Sequence, residues 1–254
     1  MKTSGNTIFI TGGTSGIGRG IAEAFHKQGN QVIISGRRKA LLDEVTKANP
    51  GMQSVELDIQ DPQQIKAVAA QLVTDFPKLN VLFNNAGIMP FDDAAGEIDD
   101  ATAVATINTN LLGPVRMTSA LLPHLKQQEG ATVIHNSSVL AFVPLASTAV
   151  YSATKAAIHS YALSQRFMLA GSGVQVVEIA PPWVDTDLVY KSGDSRAMPL
   201  PDFVAATMAG LAAGKDEVYV EAIQALRDNP GSGEHGFVTA FNQSLKDNPI
   251  PVGH

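Results

Sequence analysis

Short apolar runs alternate along this chain with longer stretches in which apolar residues recur every three or four positions. The first pattern predicts buried strands and the second amphipathic helices. Strands are expected at 7–10, 31–35, 54–57, 79–83, 131–136, 174–179 and 217–220. The helical pattern covers 17–28, where Gly29 supplies a stop, and 39–48. A third helix starts at Asp61-Pro62, a cap followed by a proline suited to a first turn, and runs to 76. A long helical region from 99 to 128 holds Pro114 and Pro123 as kinks or breaks. Another contains Tyr151 in its first turns and runs to 169, where Gly171 and Gly173 end it.

Two segments break the rhythm. Residues 184–202 are polar, contain Gly193 and two prolines, and read as a substrate lid. Residues 228–236 are rich in Gly and Pro and open a C-terminal tail, with a short helix expected at 237–246. Strands that alternate with helices imply a parallel sheet covered on both sides by right-handed crossovers. The expected class is α/β, a doubly wound parallel sheet of about seven strands with helices on both faces, in one domain over 1–254.

Composition narrows the function. The 254 residues are 44% hydrophobic, enough for one large core. The net charge of -6 disfavours a nucleic-acid surface, and no basic run exceeds Arg37-Arg38-Lys39. There is no cysteine, which removes thiol nucleophiles and thiolate metal ligands. The 6 histidines are scattered without metal-binding spacing, so no metal is expected. The apolar run near the N-terminus is too short for a signal peptide. No stretch nears the ~18 apolar residues of a membrane span. A cytoplasmic protein with neither nucleic acid nor membrane as partner is expected.

The first strand runs into Thr11-Gly12-Gly13-Thr14-Ser15-Gly16-Ile17-Gly18. Glycines in that place let the backbone approach a pyrophosphate, and the following helix aims free N–H groups at it. The spacing is Thr-Gly-x-x-x-Gly-x-Gly, not G-x-G-x-x-G. The second strand ends in Ser35-Gly36-Arg37-Arg38. An NAD site places an acid there for the ribose diol, whereas guanidinium suits a 2′-phosphate. NADP(H) is therefore the expected cofactor. Further on, Tyr151 and Lys155 stand four residues apart, hence on one helix face. An ammonium against a phenol favours the phenolate, so Tyr151 is expected to titrate below its ordinary value of about 10 and to exchange a proton with a substrate oxygen.

Four signals in one order, namely the 11–18 loop, Asn84-Asn85-Ala86-Gly87, Ser137-Ser138 and Tyr151-x-x-x-Lys155, resemble the short-chain dehydrogenase/reductase family in its compact, single-domain Rossmann-fold branch. A bacterial subset called DltE-like is similar here. The resemblance implies that Gly12, Thr14, Ser15, Gly16, Ile17 and Gly18 shape the pyrophosphate site and that Asp58 bonds adenine. It implies that Asn85, Ala86 and Gly87 let the adenosine ribose lie close, and that Pro181, Val184 and Thr186 reach the nicotinamide end. Asn110, Ser138, Tyr151 and Lys155 match the catalytic set, with Ser138 thirteen residues before Tyr151. Side chains alternate along a strand, so Ser137 is the weaker candidate. Pro181-Pro182-Trp183 departs from the Pro-Gly usual after the sixth strand.

The reaction so implied is the interconversion of a ketone or aldehyde and its alcohol. Met89, Pro90, Leu140, Val143, Pro144, Leu145 and Trp183 are expected around the substrate, which makes it a hydrophobic small molecule. Family resemblance also implies a homodimer or homotetramer built on the Ala- and Ser-rich helix of Tyr151. Two rivals stand beside this reading. A catalytically silent NADP(H) sensor or scaffold would not need Ser138, Tyr151 and Lys155. An extended-branch epimerase or dehydratase would have another glycine spacing and a longer C-terminal domain.

Overall fold

A computed structural model describes residues 1–189, 191, 193–228 and 231–249. The parts of the expected lid and tail at 190, 192, 229–230 and 250–254 lie outside the described residues. Seven parallel strands form one sheet in the order β3-β2-β1-β4-β5-β6-β7. They are β1 (Thr7–Thr11), β2 (Gln31–Gly36), β3 (Gln53–Glu56), β4 (Leu79–Asn84), β5 (Thr132–Asn136), β6 (Gln175–Ile179) and β7 (Glu217–Val218). On one face lie α1 (Gly16–Lys27), α2 (Lys39–Ala48) and α7 (Leu200–Ala212). On the other lie α3 (Pro62–Asp75), α5 (Gly113–Leu125) and α6 (Ala149–Met168).

The doubly covered sheet follows from the unbroken apolar runs. Ile8 and Ile10 pack towards α1 and α7, while Phe9 between them packs towards α3 and α5. Both sides of a central parallel strand are buried, so such strands carry no polar alternation. Phe9, Phe25, Phe83 and Phe203 are fully buried, each contributing ~1.5–3 kcal/mol. Asp61 caps α3, its carboxylate accepting from the amides of Gln63 and Gln64, with Pro62 in the first turn. Since β1 pairs with β2 on one side and β4 on the other, the crossovers diverge there and open a cleft at the strands' carboxyl ends.

The long helical region at 99–128 is three pieces. They are α4 (Asp100–Ile107), a five-residue π segment (Asn108–Leu112) and α5. Neither proline makes the break: Pro114 sits in the first turn of α5 and Pro123 in its last. The π segment instead lies where Asn110 is bonded away from the helix to Ile88. The expected lid also holds more structure than its polarity implied. Val184 pairs with Met198, a 3-10 turn spans Asp187–Val189, and Pro201 helps to open α7 at Leu200. The last strand is only two residues long. A one-turn helix α8 (Gln224–Arg227) follows, and the terminal helix α9 (Glu234–Asp247) starts three residues before its expected position.

Candidate active site

The cleft at the carboxyl ends of the strands has a volume of about 1010 Å3, at the upper end of the ~300–1,000 Å3 common for small-molecule sites. Its first half is built by close backbone approach. Gly12 has φ +68, and a Cβ there would lie 2.8 Å from Ala86 Cα. At Gly18 a Cβ would meet the Gly12 carbonyl at 2.2 Å and Asn85 Nδ2 at 2.3 Å. That amide is fixed in turn, donating to the carbonyls of Thr11 and Gly12, both at 3.0 Å. The Thr11 hydroxyl accepts from the backbone N–H of Asn85 and Ala86 at 3.0 and 3.1 Å. Strand ends β1 and β4 are thus stitched into one floor.

Helix α1 starts against this floor with Ser15 as N-cap and no side-chain capping bond. Its first-turn amides are left for an anion. Gly36 packs beneath Thr14, whose Cγ2 would lie 3.0 Å from a Cβ at that position. Arg37 and Arg38 follow on the rim, exposed, and neither guanidinium donates to a described residue. Asp58 faces the same half and accepts the Gln60 amide at 3.0 Å. A glycine cradle, an uncapped helix start and two free guanidiniums beyond β2 fit a dinucleotide.

The second half is carried by α6. Its N-terminus is capped from a distant loop: Asp92 accepts from the amides of Ala149 and Val150, each at 2.8 Å. A carboxylate there also meets the positive end of the helix. Tyr151 and Lys155 follow one turn apart, both buried. The ammonium sits 5.4 Å from the centre of the phenol ring and donates to the Asn136 carbonyl at 2.7 Å. The sequence spacing alone had implied that the lysine sets the charge state of the phenol; the effects acting on it are instead burial and Ser138. Burial pushes Tyr151 up to about 12, opposed by the hydrogen bond with Ser138. Burial pushes Lys155 down to about 8, opposed by the charge of Glu178. Near neutrality, without cofactor, the phenol holds its proton and the amine its charge.

The two serines separate as strand alternation predicts. Ser137 donates to the Ile179 carbonyl at 3.2 Å, while Ser138 bonds Tyr151 and accepts the Leu140 amide at 3.1 Å. Asn110 stands behind the wall. Its amide exchanges two 2.9 Å bonds with Ile88 and donates to Thr154 at 3.2 Å. A Cβ on Gly87 would lie 3.4 Å from Asn110 Oδ1 and 3.8 Å from Lys155 Nζ. Gly87 thus brings these two side chains within reach of each other.

Pro181, Val184 and Thr186 line the cleft with the other expected cofactor residues. Pro181 also accepts the Val139 amide at 2.9 Å, so the Pro-Pro-Trp turn is braced against the serine loop. Of the expected substrate residues, Met89, Leu140, Leu145 and Trp183 face the cleft. Val143 is core, and Pro90 lines a separate pocket. Sequence reasoning missed the outer wall, which is α9: Phe241 and Leu245 line the cleft. Asn242 ties that helix to the serine loop, donating to Pro144 at 3.0 Å and accepting from Ala146 at 2.5 Å. Arg196 lies over the Trp183 ring, pairs with Asp194 and donates to the carbonyls of Asn248 and Pro249. Among the described residues no group of side chains could hold a metal ion, and no helix is long and apolar enough to cross a membrane.

Residues 6–197 match the family model described as short chain dehydrogenase. Over 234 residues the chain is 39% identical to an uncharacterized oxidoreductase, DltE, of Bacillus subtilis, covering 90% of this chain and 93% of that protein. It is 35% identical over 197 residues to a sulfoacetaldehyde reductase of Chromohalobacter salexigens, covering 75% and 78% of the two chains. The fold superposes with TM-score 0.81 on a short chain dehydrogenase from Burkholderia cenocepacia in complex with NADP, at 29% identity, covering 96% and 99%.

Proposed function

The chain belongs to the short-chain dehydrogenase family, an oxidoreductase family that uses nicotinamide cofactors, and from that premise we propose that it interconverts a hydrophobic ketone or aldehyde and its alcohol with NADP(H). The observation that carries the reading is the meeting of three groups at one point of the cleft. They are the protonated Tyr151 phenol, the Ser138 hydroxyl bonded to it and the buried Lys155 ammonium. When bound, the nicotinamide supplies or accepts the hydride. Tyr151 gives the carbonyl oxygen its proton in reduction and takes it back in oxidation. Ser138 orients that oxygen and steadies its developing charge. Lys155 holds the nicotinamide ribose, and Asn110, next to it across Gly87, anchors the path by which the proton is replaced.

Arg37 and Arg38 are assigned to the 2′-phosphate, because they are exposed and unpaired among the described residues and Gly36 leaves no acid before them. The apolar faces of Leu140, Leu145, Trp183, Phe241 and Leu245 favour a hydrophobic substrate. Sulfoacetaldehyde would bring a sulfonate, and the cation nearest the outer wall, Arg196, is already paired with Asp194. The exposed Phe167 and Met168 at the end of α6 support a homodimer or homotetramer.

A panel of apolar ketones and aldehydes, with sulfoacetaldehyde as the anionic member, tests the reading by nicotinamide absorbance with NADPH and NADH. Apolar members should turn over with NADPH. Tyr151→Phe should lose turnover by at least ~100-fold while still binding NADPH, and Arg37→Asp should move the preference towards NADH. Tight NADPH binding without turnover across the panel would make the chain a sensor instead.

A further inference from the structure

A second polar group lies one helical turn deeper than the reacting centre. Tyr151, Lys155 and His159 follow one another at four-residue intervals and form a single stripe of α6. That stripe faces β5 and β6. His159 Nδ1 is 2.8 Å from Oε2 of Glu178, a residue of β6 whose side chain is 1% exposed. The second oxygen, Oε1, is buried without a hydrogen-bond partner among the described residues. Burying a carboxylate is costly unless positive charge compensates it.

The charges around Glu178 are few. Its neighbour across β5 is His135, which is fully buried, bonded to Gln165 at 2.8 Å, and held neutral because burial pushes it down. Its neighbour across β7 is Glu217, which is paired with Arg227 at 2.8 Å. That guanidinium lies 4.7 Å over the Phe142 ring, which meets His159 edge-on at 4.8 Å. On α6 itself, Arg166 is engaged by the carbonyls of Val176 and Asp216, and Tyr161 is neutral. Among the described residues Lys155 is the cation left without a carboxylate of its own, its ammonium bonded to the Asn136 carbonyl.

We propose that Glu178 is a positioning residue of the reaction: its buried carboxylate, held in place by His159, is the counter-charge that keeps the Lys155 ammonium protonated in the site. This rests on the reading of Lys155 as part of the catalytic set. Glu178 touches neither substrate nor cofactor and acts through the lysine. Burial drives the ammonium towards its neutral form, and the charge of Glu178 is the effect that opposes it. A brace between α6 and β6 would need only the hydrogen bond to His159. The charge also acts on Arg227, which has Glu217 as its own partner, and on Lys155, which has none.

Glu178→Gln keeps the shape and a partner for His159 while removing the charge. The Lys155 titration is followed by NMR of the lysine ε-carbon in the cofactor-free protein, with the signal assigned through Lys155→Arg. In the wild type the midpoint is expected at about 8. In Glu178→Gln it should fall by about one pH unit or more, and the alkaline limb of the kcat/KM profile should move with it. His159→Gln, which keeps a donor to the carboxylate, should leave the midpoint within about 0.3 of the wild type. An unchanged midpoint in a folded Glu178→Gln protein overturns the proposal, even if kcat falls. If that variant does not fold, the double variant Glu178→Gln/His159→Gln, in which two amides can pair, is read instead. It also removes the charge, and a midpoint equal to the wild type overturns the proposal in the same way. The NMR titration needs no turnover. Retained turnover in a Lys155→Met protein would refute the catalytic reading of the lysine and leave the electrostatic result standing.

Discussion

Lys155→Met should alter the pH dependence of stability in a way that the structure fixes in sign and size. The ammonium is buried, and burial lowers it from 10.5 to about 8. At 1.36 kcal/mol per pH unit, keeping this group charged in the folded protein costs about 3 kcal/mol at pH 7. A depressed folded value means that the unfolded chain binds the proton more tightly. The lysine's contribution is therefore fully present above about 10.5 and is lost as the pH falls through about 8. Methionine carries no proton, so the variant lacks this slope. Relative to the wild type, Lys155→Met should be favoured by ~2.5 kcal/mol more at pH 7 than at pH 10.

Two other effects leave the pH dependence of the comparison unchanged, one because it does not depend on pH and the other because both proteins share it. Loss of the 2.7 Å bond to Asn136 shifts the whole comparison by a constant. Tyr151, pushed up to about 12, has the opposite sign. Its contribution is complete below the unfolded value of about 10 and is lost only as the pH rises towards the folded one. Urea unfolding of both proteins, cofactor-free and at one protein concentration, at pH 7, 8.5 and 10 gives the comparison directly. A stability difference that stays constant to within ~0.5 kcal/mol would show that Lys155 does not titrate as a buried amine. The reasoning about the charge state of the site would then fail.

Three further outcomes follow from positions that sequence reasoning did not reach or could not rank. Asp92→Ala removes both bonds that cap α6 and should destabilise the protein by ~1–2 kcal/mol in urea unfolding, with kcat falling because Tyr151 lies in the first turn of that helix; Asp92→Asn should restore about half of the loss. Gly18→Ala places a methyl group against the Gly12 carbonyl and the Asn85 amide, so it should cost ~1–3 kcal/mol and weaken nucleotide binding in fluorescence titration. Gly236→Ala, on α9 with open space around it, should instead stabilise by ~0.5–1 kcal/mol.

Most of the strands were readable because they are short apolar runs, and in a doubly covered sheet burial needs nothing subtler; the edge strands β3, with the sequence QSVE and mostly exposed, and β7, two residues long, are the weaker cases. The glycine loop was readable because its letters are contiguous, although part of what excludes a Cβ at Gly12 and Gly18 is Ala86 and Asn85 at the end of β4. The π segment at 108–112 was not, because its cause is the pull of Ile88, twenty-two residues away from Asn110. Asp92 reads as one polar loop residue among several until the fold brings it to the start of α6. Glu178 is a charged residue inside an apolar run, and nothing in its neighbours by sequence announces His159.

The same division explains the one inversion. Spacing put Lys155 against the Tyr151 phenol and implied a lowered tyrosine; the fold buries both groups and hands the ammonium to Asn136. In a dry site desolvation outweighs a cation at ring distance, and it acts on the two groups in opposite directions. That outcome suits a proton donor. In the proposed reaction, a phenol held neutral until substrate and cofactor arrive keeps its proton for the carbonyl, and a lysine held charged by the proposed counter-charge of Glu178 keeps the positive charge that the phenolate would need. The candidate pair was legible as two letters four positions apart, but its charge state depends on burial and on residues of β5 and β6 that only the fold brings near.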